Sequence, residues 1–471
     1  MPKRRVDWVL IGVAIAVRMA AVLVLRSHLV PHSTYEHGEI AANLLEGRGF
    51  AVHFLGADGP TSQQAPVYPL LVAATYWLGG VATPRALLIL ELGQAVLSGV
   101  LVGAVLSLAR AIAPRRSWFA WLAGSIAAVH PTLVYAATHV QVALVAATLL
   151  AVTLAWAFRV GRTGGRRDAV ILGGWFGLLV LTDPILGLSA AGVGWAVLLG
   201  SGPRRSGLLL SLAAVTAVLC VAPWIARNAR VHHEFVPIKS TFGYAFWQGN
   251  CALSEGTDKV VRASVERALA SNRGGLRGLN DSLWEARHEA GYLDDIALTA
   301  ADYRMLSRLS EPERARVLLR RALADLRSAP ARYPRLCLRR ARYFLLFDET
   351  NPKTRNVVYR ASQVAISVWA LCGLIAAPRE VRRRLGPTLL TAGLIVAFHV
   401  MTITSVRFHI PLEPLMAIWG AAAVTRWGAP GDVGTVEATE ECRRATTIAR
   451  PHRWLDSRSN EPVAAADVER D

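Results

Sequence analysis

The chain alternates long apolar runs with short polar stretches, and that alternation sets its architecture. A helix needs roughly twenty apolar residues to cross the hydrocarbon core of a bilayer. Candidate runs occupy 7–29, 86–108, 118–138, 141–158, 168–183, 185–200, 206–226, 356–376, 386–404 and 409–425. The pattern predicts an all-α polytopic membrane protein with about ten spans. The run 67–80, VYPLLVAATYWLGG, is short and carries Tyr and Trp, so it is expected to lie in the membrane interface.

Charge supports this count. Basic runs fall at Lys3-Arg4-Arg5, at Arg110 with Arg115-Arg116, at Arg159 to Arg167, at Arg204-Arg205 and at Arg379 to Arg384. With the N-terminus in the cytoplasm and the spans alternating, every one of these runs lands inside. The first span has a basic start without a small-residue cleavage site and reads as an anchor rather than a removed leader. The same alternation sends residues 30–85 and 227–355 to the outer side, with the turns at His139-Val140-Gln141, Thr182-Asp183-Pro184 and 404–409. The expected organisation is a first span (1–29), a first outer loop with interfacial helices (30–85), a bundle (86–226), an outer helical block (227–355), closing spans (356–425) and a polar, disordered cytoplasmic tail (426–471).

Composition then narrows the class. Hydrophobic residues make up 53% of the chain and charged ones 18%, too apolar for an ordinary soluble domain. The net charge of +18 would suggest nucleic acid in a soluble protein, but here the cations cluster at span ends. The five cysteines show no metal-ligand spacing; Cys251 and Cys337 share one hydrophilic region and can pair in an oxidising compartment.

The outer block has helical signals. Ser310 and Glu313 have capping-box spacing with Pro312 in the first turn, and Val317, Leu318, Ala322, Leu323 and Leu326 form an apolar stripe. The opposite face, from Arg314 to Arg342, is strongly basic: either simply solvated or facing an anionic membrane surface or phosphate partner. NRGGLRGLN, 272–280, reads as a linker.

The candidate chemistry gathers in the outer segments. STYEHGEIAANLLEGRGF, 33–50, puts Glu36, Glu39 and Asn43 on one helical face beside an apolar one. An acid at such a boundary is expected to have a raised pKa, which suits a general base; a solvated amphipathic helix gives the same spacing. Arg227 ends a span in APWIARN and can snorkel to headgroups or bind phosphate bidentately. VPIKSTFGYAFWQGN, 236–250, adds Lys239, Trp247 and Asn250, suited equally to a sugar face or to an interface belt. SVRFHIPLEPL, 405–415, places Arg407 and His409 at an outer span end, with Glu413 one turn deeper and in need of a partner. Glu91, Gln94 and Asp183 carry the same intramembrane flag. No phosphate-cradling glycine loop or metalloprotease motif appears.

Taken in order, these segments resemble the GT-C class of polytopic glycosyltransferases, in particular the glycosyltransferase 39-like bacterial members, protein O-mannosyltransferases and aminoarabinose transferases. EHGEIAANLLEGRGF resembles that family's IAxNLLxGxGF, APVYPLLVA its PPxYPLLLA, and HPTLVYAATHVQ its outer turn, with Gln141 where an acid is usual. APWIARNARVHHEFVPIKSTFGYAFWQGN is the most specific match, and RFHIPLEPLMAIWGAA resembles the closing helix. The resemblance implies a bacterial cell-membrane enzyme. It would take a hexosyl or pentosyl group from a polyprenyl-phosphate donor and pass it to a protein, lipid or glycan acceptor on the extracytoplasmic side. The position matching the family's catalytic Asp is Ser33, and Glu36 is the nearest acid, with Glu39 behind it.

The expected reaction is an inverting displacement. Glu36 takes the acceptor proton, Arg227 and Arg407 stabilise the leaving phosphate with Lys239 and His409 in support, and Gln64, Tyr68, Trp247 and Asn250 orient sugar or acceptor. No cofactor or metal is obligatory, although a divalent cation bridging Glu36 and phosphate is compatible with carboxylate chemistry. Two other readings remain open: a silent relative that binds a lipid-linked sugar without transfer, and a lipid or solute transporter, for which no charged path through the bundle is visible.

Overall fold

The computed structural model describes residues 2–30, 34–114, 116–258 and 298–423. Ser33, Arg115, the expected linker 272–280 and the expected tail from 426 lie outside the described residues. Among the described residues the architecture is all-α and polytopic apart from one hairpin. In chain order, the helices are α1 (Pro2–Leu25), α2 (Tyr35–Leu45), α3 (Val67–Gly79), α4 (Pro84–Ile112), α5 (Ser117–Val129), α6 (Pro131–Ala136), α7 (Ala143–Thr163), α8 (Arg166–Val180), α9 (Ala190–Ser201) and α10 (Pro203–His232). They continue with α11 (Phe242–Asn250), α12 (Ala300–Leu306), α13 (Glu311–Ser328), α14 (Arg332–Leu345), α15 (Val357–Ala376), α16 (Arg379–Met401) and α17 (Glu413–Ala421).

Local chemistry sets the boundaries. Thr83 caps α4 by accepting from Ala86 N, with Pro84 in the first turn; Gly164, left-handed at φ 61°, ends α7. The expected capping box forms at α13, where Ser310 and Glu313 satisfy each other's backbone N–H groups. The expected single span 118–138 breaks at His130-Pro131, because a residue before proline is pushed out of the helical region. Seven of the described helical segments are long and apolar enough to cross a membrane. Ser117–Val129 and Val67–Gly79 are apolar but shorter, and α8 and α17 are shorter than a full span as well. Sequence reading expected about ten crossings of full length; 118–138 breaks at His130-Pro131 and α8 stops at Val180 before a turn, while the described part of 409–425 extends to residue 423.

The hairpin was not expected. β1 (Ala51–Phe54) and β2 (Ala57–Pro60) pair antiparallel, with Val52 opposite Gly59 and His53 opposite Asp58. The two-residue turn takes Leu55 to φ 51° and Gly56 to φ 83°, a mirror-image turn that matches strand twist.

Two layers result. The bundle core is built mainly from small and aliphatic residues, such as Ala109, Leu144, Leu154, Leu385 and Ile418, with the aromatic Phe119 among them. A second core, at the end of the bundle that carries the long loops, joins Ile40, Phe50, Phe54, Trp247, Leu306 and Leu318. Arg18, fully buried in α1, is neutralised without an acid. Its guanidinium donates to Ala127 O at 3.1 Å and Ala128 O at 2.6 Å, the carbonyl end of α5, where the helix dipole is negative.

The arginines of the outer block divide in the same way. Arg314 donates to Phe54 O at 2.6 Å, and Arg332 to Asn250 O, Cys251 O and Ser254 O. Arg340, fully buried, donates to Val400 O at 2.6 Å and to Gly249 O and Thr402 O at 2.9 Å. Cations that the sequence offered to solvent or phosphate instead tie loop carbonyls together. Cys251 and Cys337 are separate thiols.

Candidate active site

Glu36 stands in the first turn of α2, directly after Tyr35, whose φ of 48° is left-handed and strained for a non-glycine residue. Its Oε1 accepts from Gln64 Nε2 at 2.8 Å, and the Oε1 of Gln64 accepts from Lys239 Nζ at 3.0 Å. Arg407, exposed in the turn between α16 and α17, acts electrostatically on both Glu36 and Lys239. Asp183, from the turn after α8, also acts on Lys239 and caps its own turn by accepting from Ile185 N at 3.1 Å. Five chain segments therefore bring two acids, two cations and an amide to one place.

The scaffold explains how they are held. Glu311, at the start of α13, accepts from Thr61 Oγ1, Ser62 N and Ser240 Oγ, which fixes the chain on either side of Gln64 and Lys239. Ser240 N donates to Ser62 O at 3.0 Å, and Asn228 Nδ2 holds the carbonyls of Val236 and Ile238.

Electrostatics depart from the sequence expectation. Burial pushes the Glu36 carboxyl up, but His37, Arg407 and Lys239 outweigh it, and the group is held below the ordinary glutamate value. A raised pKa was expected from the apolar boundary alone; the cations arrive from segments distant in sequence. His37 is pushed down to about 4 by burial, against the pull of Glu36, so it is neutral at physiological pH. Its buried Nδ1 has no hydrogen-bond partner among the described residues, and its ring packs edge-on against Tyr68 at 4.9 Å. Burial, with Arg407, lowers Lys239, while Asp183 and Glu36 oppose.

Of the residues expected from sequence, Glu36, Gln64, Lys239 and Arg407 come together. The other expected site residues do not join them, whereas Asp183, flagged from sequence only as an intramembrane charge, does. Glu39 is exposed and accepts from His53 N at 2.5 Å, bracing the hairpin. Arg227 spends its guanidinium on Thr61 O at 2.6 Å and Phe50 O at 3.0 Å, stacked over Phe50 and Trp224, and its electrostatic partner is Glu311. His409 is buried, 3.0 Å from Glu413 and 2.8 Å from the Tyr359 hydroxyl; His130, 3.4 Å from the other Glu413 oxygen, completes the partner set that this acid needed. Tyr68 is buried and donates to Gln94 Oε1 at 2.9 Å. Trp247 belongs to the outer-layer core, and Asn250 donates to Phe246 O and Thr402 O. His37, which the sequence places in the same helical turn as Glu36 and Glu39, is the neighbour to which sequence reading gave no role.

The Tyr68–Gln94 bond leads to a second feature. Gln94 also lines an apolar groove of about 270 Å³ with Leu71, Thr75, Ile89, Leu90, Gly93 and Leu97, between α3 and α4. The groove therefore stands two side chains away from His37.

The long apolar helices describe a multi-pass membrane protein, and its fold is similar to that of solved GT-C glycosyltransferases. The chain is similar in structure to the oligosaccharyltransferase AglB from Archaeoglobus fulgidus, in complex with an inhibitory peptide and a dolichol-phosphate. The TM-score is 0.53 at 15% identity, covering 97% of this chain and 52% of that one. The apo form of the Archaeoglobus fulgidus oligosaccharyltransferase gives 0.53 at 14% identity, covering 96% and 52%. ArnT from Cupriavidus metallidurans bound to undecaprenyl phosphate gives 0.38 at 16% identity, covering 94% and 80%. The chain thus spans about half the length of the oligosaccharyltransferases it matches. No protein-family model and no curated protein matches the sequence.

Proposed function

We propose that the chain is a membrane glycosyltransferase that moves a sugar from a polyprenyl-phosphate donor to an acceptor at the loop end of the bundle. That end is read as the extracytoplasmic side of a bacterial inner membrane, with the N-terminus inside. The observation that carries the reading is the Glu36–Gln64–Lys239 bridge with Arg407 beside it. A carboxylate and two cations around one point are what a transfer from phosphate requires. The fold it shares with AglB, a protein solved with a dolichol-phosphate, is consistent with that donor class.

In the proposed step, the acceptor oxygen attacks the anomeric carbon and the bond from that carbon to the phosphate oxygen breaks. The acceptor proton passes to Glu36, and the released polyprenyl phosphate keeps the bonding electron pair. Lys239 and Arg407 stabilise the phosphate charge, which removes the need for a general acid. Gln64 holds Glu36 and Lys239 at a fixed separation. Because Glu36 is ionised at neutral pH, it is a ready acceptor for a proton that leaves late in the transition state.

The residues around Glu36 do not fit a divalent cation. Among the described residues no three His, Cys, Asp or Glu side chains gather to hold a metal, and the neighbours of Glu36 include two cations. The mechanism takes no step through one.

The test is purified protein in lipid with radiolabelled polyprenyl-phosphate sugars. Sugar release or transfer by the wild type and its loss in Glu36→Gln support transfer. Binding without turnover supports the silent relative that Ser33 and Gln141 suggest, and uptake into vesicles without sugar release supports a transporter.

A further inference from the structure

Helix α14 separates its arginines by face. Arg332, Leu336, Arg340, Tyr343 and Phe344 turn inward, and Arg340 grips carbonyls at the loop end of α16. Arg335, Leu338, Arg339, Arg342 and Leu345 are exposed at i, i+3, i+4, i+7 and i+10, one continuous stripe on which cations and leucines alternate. Leu338 is 73% exposed and Leu345 is 52% exposed. A purely solvated face has no use for those leucines, and a protein core none for those arginines.

Depth identifies the surroundings. Ser367 Oγ donates to Leu345 O at 2.8 Å. Ser367 lies ten residues into α15 from Val357, about 15 Å at 1.5 Å per residue. On α15 itself, Val357, Val364, Val368, Leu371 and Ile375 are exposed with helical spacing, which is the stripe a spanning helix turns to lipid. The end of α14 therefore touches α15 at Ser367, ten residues in from the start of a helix with an exposed apolar face, while Arg332 stays with the loop carbonyls.

We infer that α14 is an obliquely embedded membrane helix that binds anionic phospholipid: Leu338 and Leu345 enter the acyl region, and Arg335 and Arg339 take headgroup phosphates by snorkelling outward. Arg342 pairs with Glu349, and among the described residues no carboxylate lies within ion-pair distance of Arg335 or Arg339. Both remain available for phosphate. Each cation near an anionic surface strengthens attraction by roughly fivefold. The inference does not depend on the proposed transferase activity.

The experiment introduces p-benzoylphenylalanine at Leu338, or at the exposed Ala324 of α13, in protein reconstituted with labelled phosphatidylglycerol or phosphatidylcholine. Illumination is expected to give lipid adducts at 338 and few at 324, with more phosphatidylglycerol than phosphatidylcholine. In a background of Arg335→Gln with Arg339→Gln, the preference for phosphatidylglycerol should fall by roughly tenfold or more. The thermal unfolding midpoint in detergent should stay within a few degrees, showing that the helix is still in place. Absence of lipid adducts at 338, equal labelling by the two lipids, or a preference untouched by the double substitution would overturn the inference; so would adducts to protein alone.

Discussion

Glu36 and Lys239 face one another through a single amide. Gln64 donates to the carboxylate at 2.8 Å and accepts from the ammonium at 3.0 Å, so neither charged group is free to swing. A direct pair of this kind would let the charges collapse together and close the space between them. Gln64→Leu keeps approximate size and removes both hydrogen bonds. A hydrogen bond to a charged group contributes about 1.5–3 kcal/mol, and loss of one such bond's worth of positioning in the transition state lowers turnover by about tenfold to a hundredfold. The effect should appear in kcat more than in donor KM, because Lys239 remains beside the phosphate. Unchanged kcat in the reconstituted assay would remove Gln64 from the site.

Arg227 and Arg407 look interchangeable in the sequence but are predicted to fail differently. Arg227→Gln leaves Thr61 O without its donor, while Phe50 O keeps the bond from Thr61 N, and one unpaired buried carbonyl makes this a stability lesion of about 1–3 kcal/mol. Arg407 is exposed, so Arg407→Gln should leave the thermal midpoint nearly unchanged, within about 0.5 kcal/mol. Its loss should lower kcat/KM by about a hundredfold, as for one donor to a developing oxyanion. Thermal unfolding in detergent and steady-state kinetics on both variants separate the roles. An unfolding midpoint lowered equally by both would contradict them.

The contrast also shows where sequence reading reached its limit. Pro131, Gly164, Ser310 and Glu313 act through their own backbone neighbourhood, so the helix boundaries they set could be read directly. Glu36, Lys239 and Arg407 were also singled out from their outer segments, and the fold brings them to one place. Arg227, His409 and Asn250 carry the same side chains but meet buried partners contributed by segments remote in sequence. Sequence shows that a donor exists; it does not show which carbonyls the fold leaves unpaired. The hairpin was hidden for a different reason: four-residue strands are too short for alternation to stand out, although Gly56 between them marks the turn. The direction of the Glu36 shift required knowing that cations from two distant loops arrive beside it.

That direction fixes a pH dependence. Glu36 is held below its ordinary value and His37 gains its proton at about 4, next to it. Activity that needs ionised Glu36 is therefore present at neutral pH and is lost only as pH falls below the ordinary glutamate range. On the alkaline side, Lys239 is held below the lysine reference of 10.5, so its charge disappears earlier than that of an ordinary lysine. Activity should decline before that pH is reached, and Lys239→Arg should push this limb outward, because guanidinium keeps its proton. The kcat/KM profile in detergent tests both limbs. An alkaline limb that stays in place in Lys239→Arg would assign it to another group.

Gly38 sets the approach of α2 to α3. A Cβ built there would stand 2.2 Å from Thr34 Oγ1, 2.3 Å from Thr34 Cβ and 2.7 Å from Tyr76 Oη. Rotating the threonine moves its hydroxyl but not its Cβ, and Tyr76 is 1% exposed within α3, so the helix itself must shift. Overpacking of this kind costs about 1–3 kcal/mol. The first turn of α2 carries Glu36, and the shift would move the carboxylate relative to Gln64. Gly38→Ala is thus expected to lower the unfolding midpoint by several degrees and to reduce kcat, whereas Gly12→Ala on α1, with nothing within 4 Å of the new methyl, should leave both unchanged. Differential scanning fluorimetry and the transfer assay read the two effects. Equal behaviour of the two variants would mean that α2 has more room than its contacts indicate.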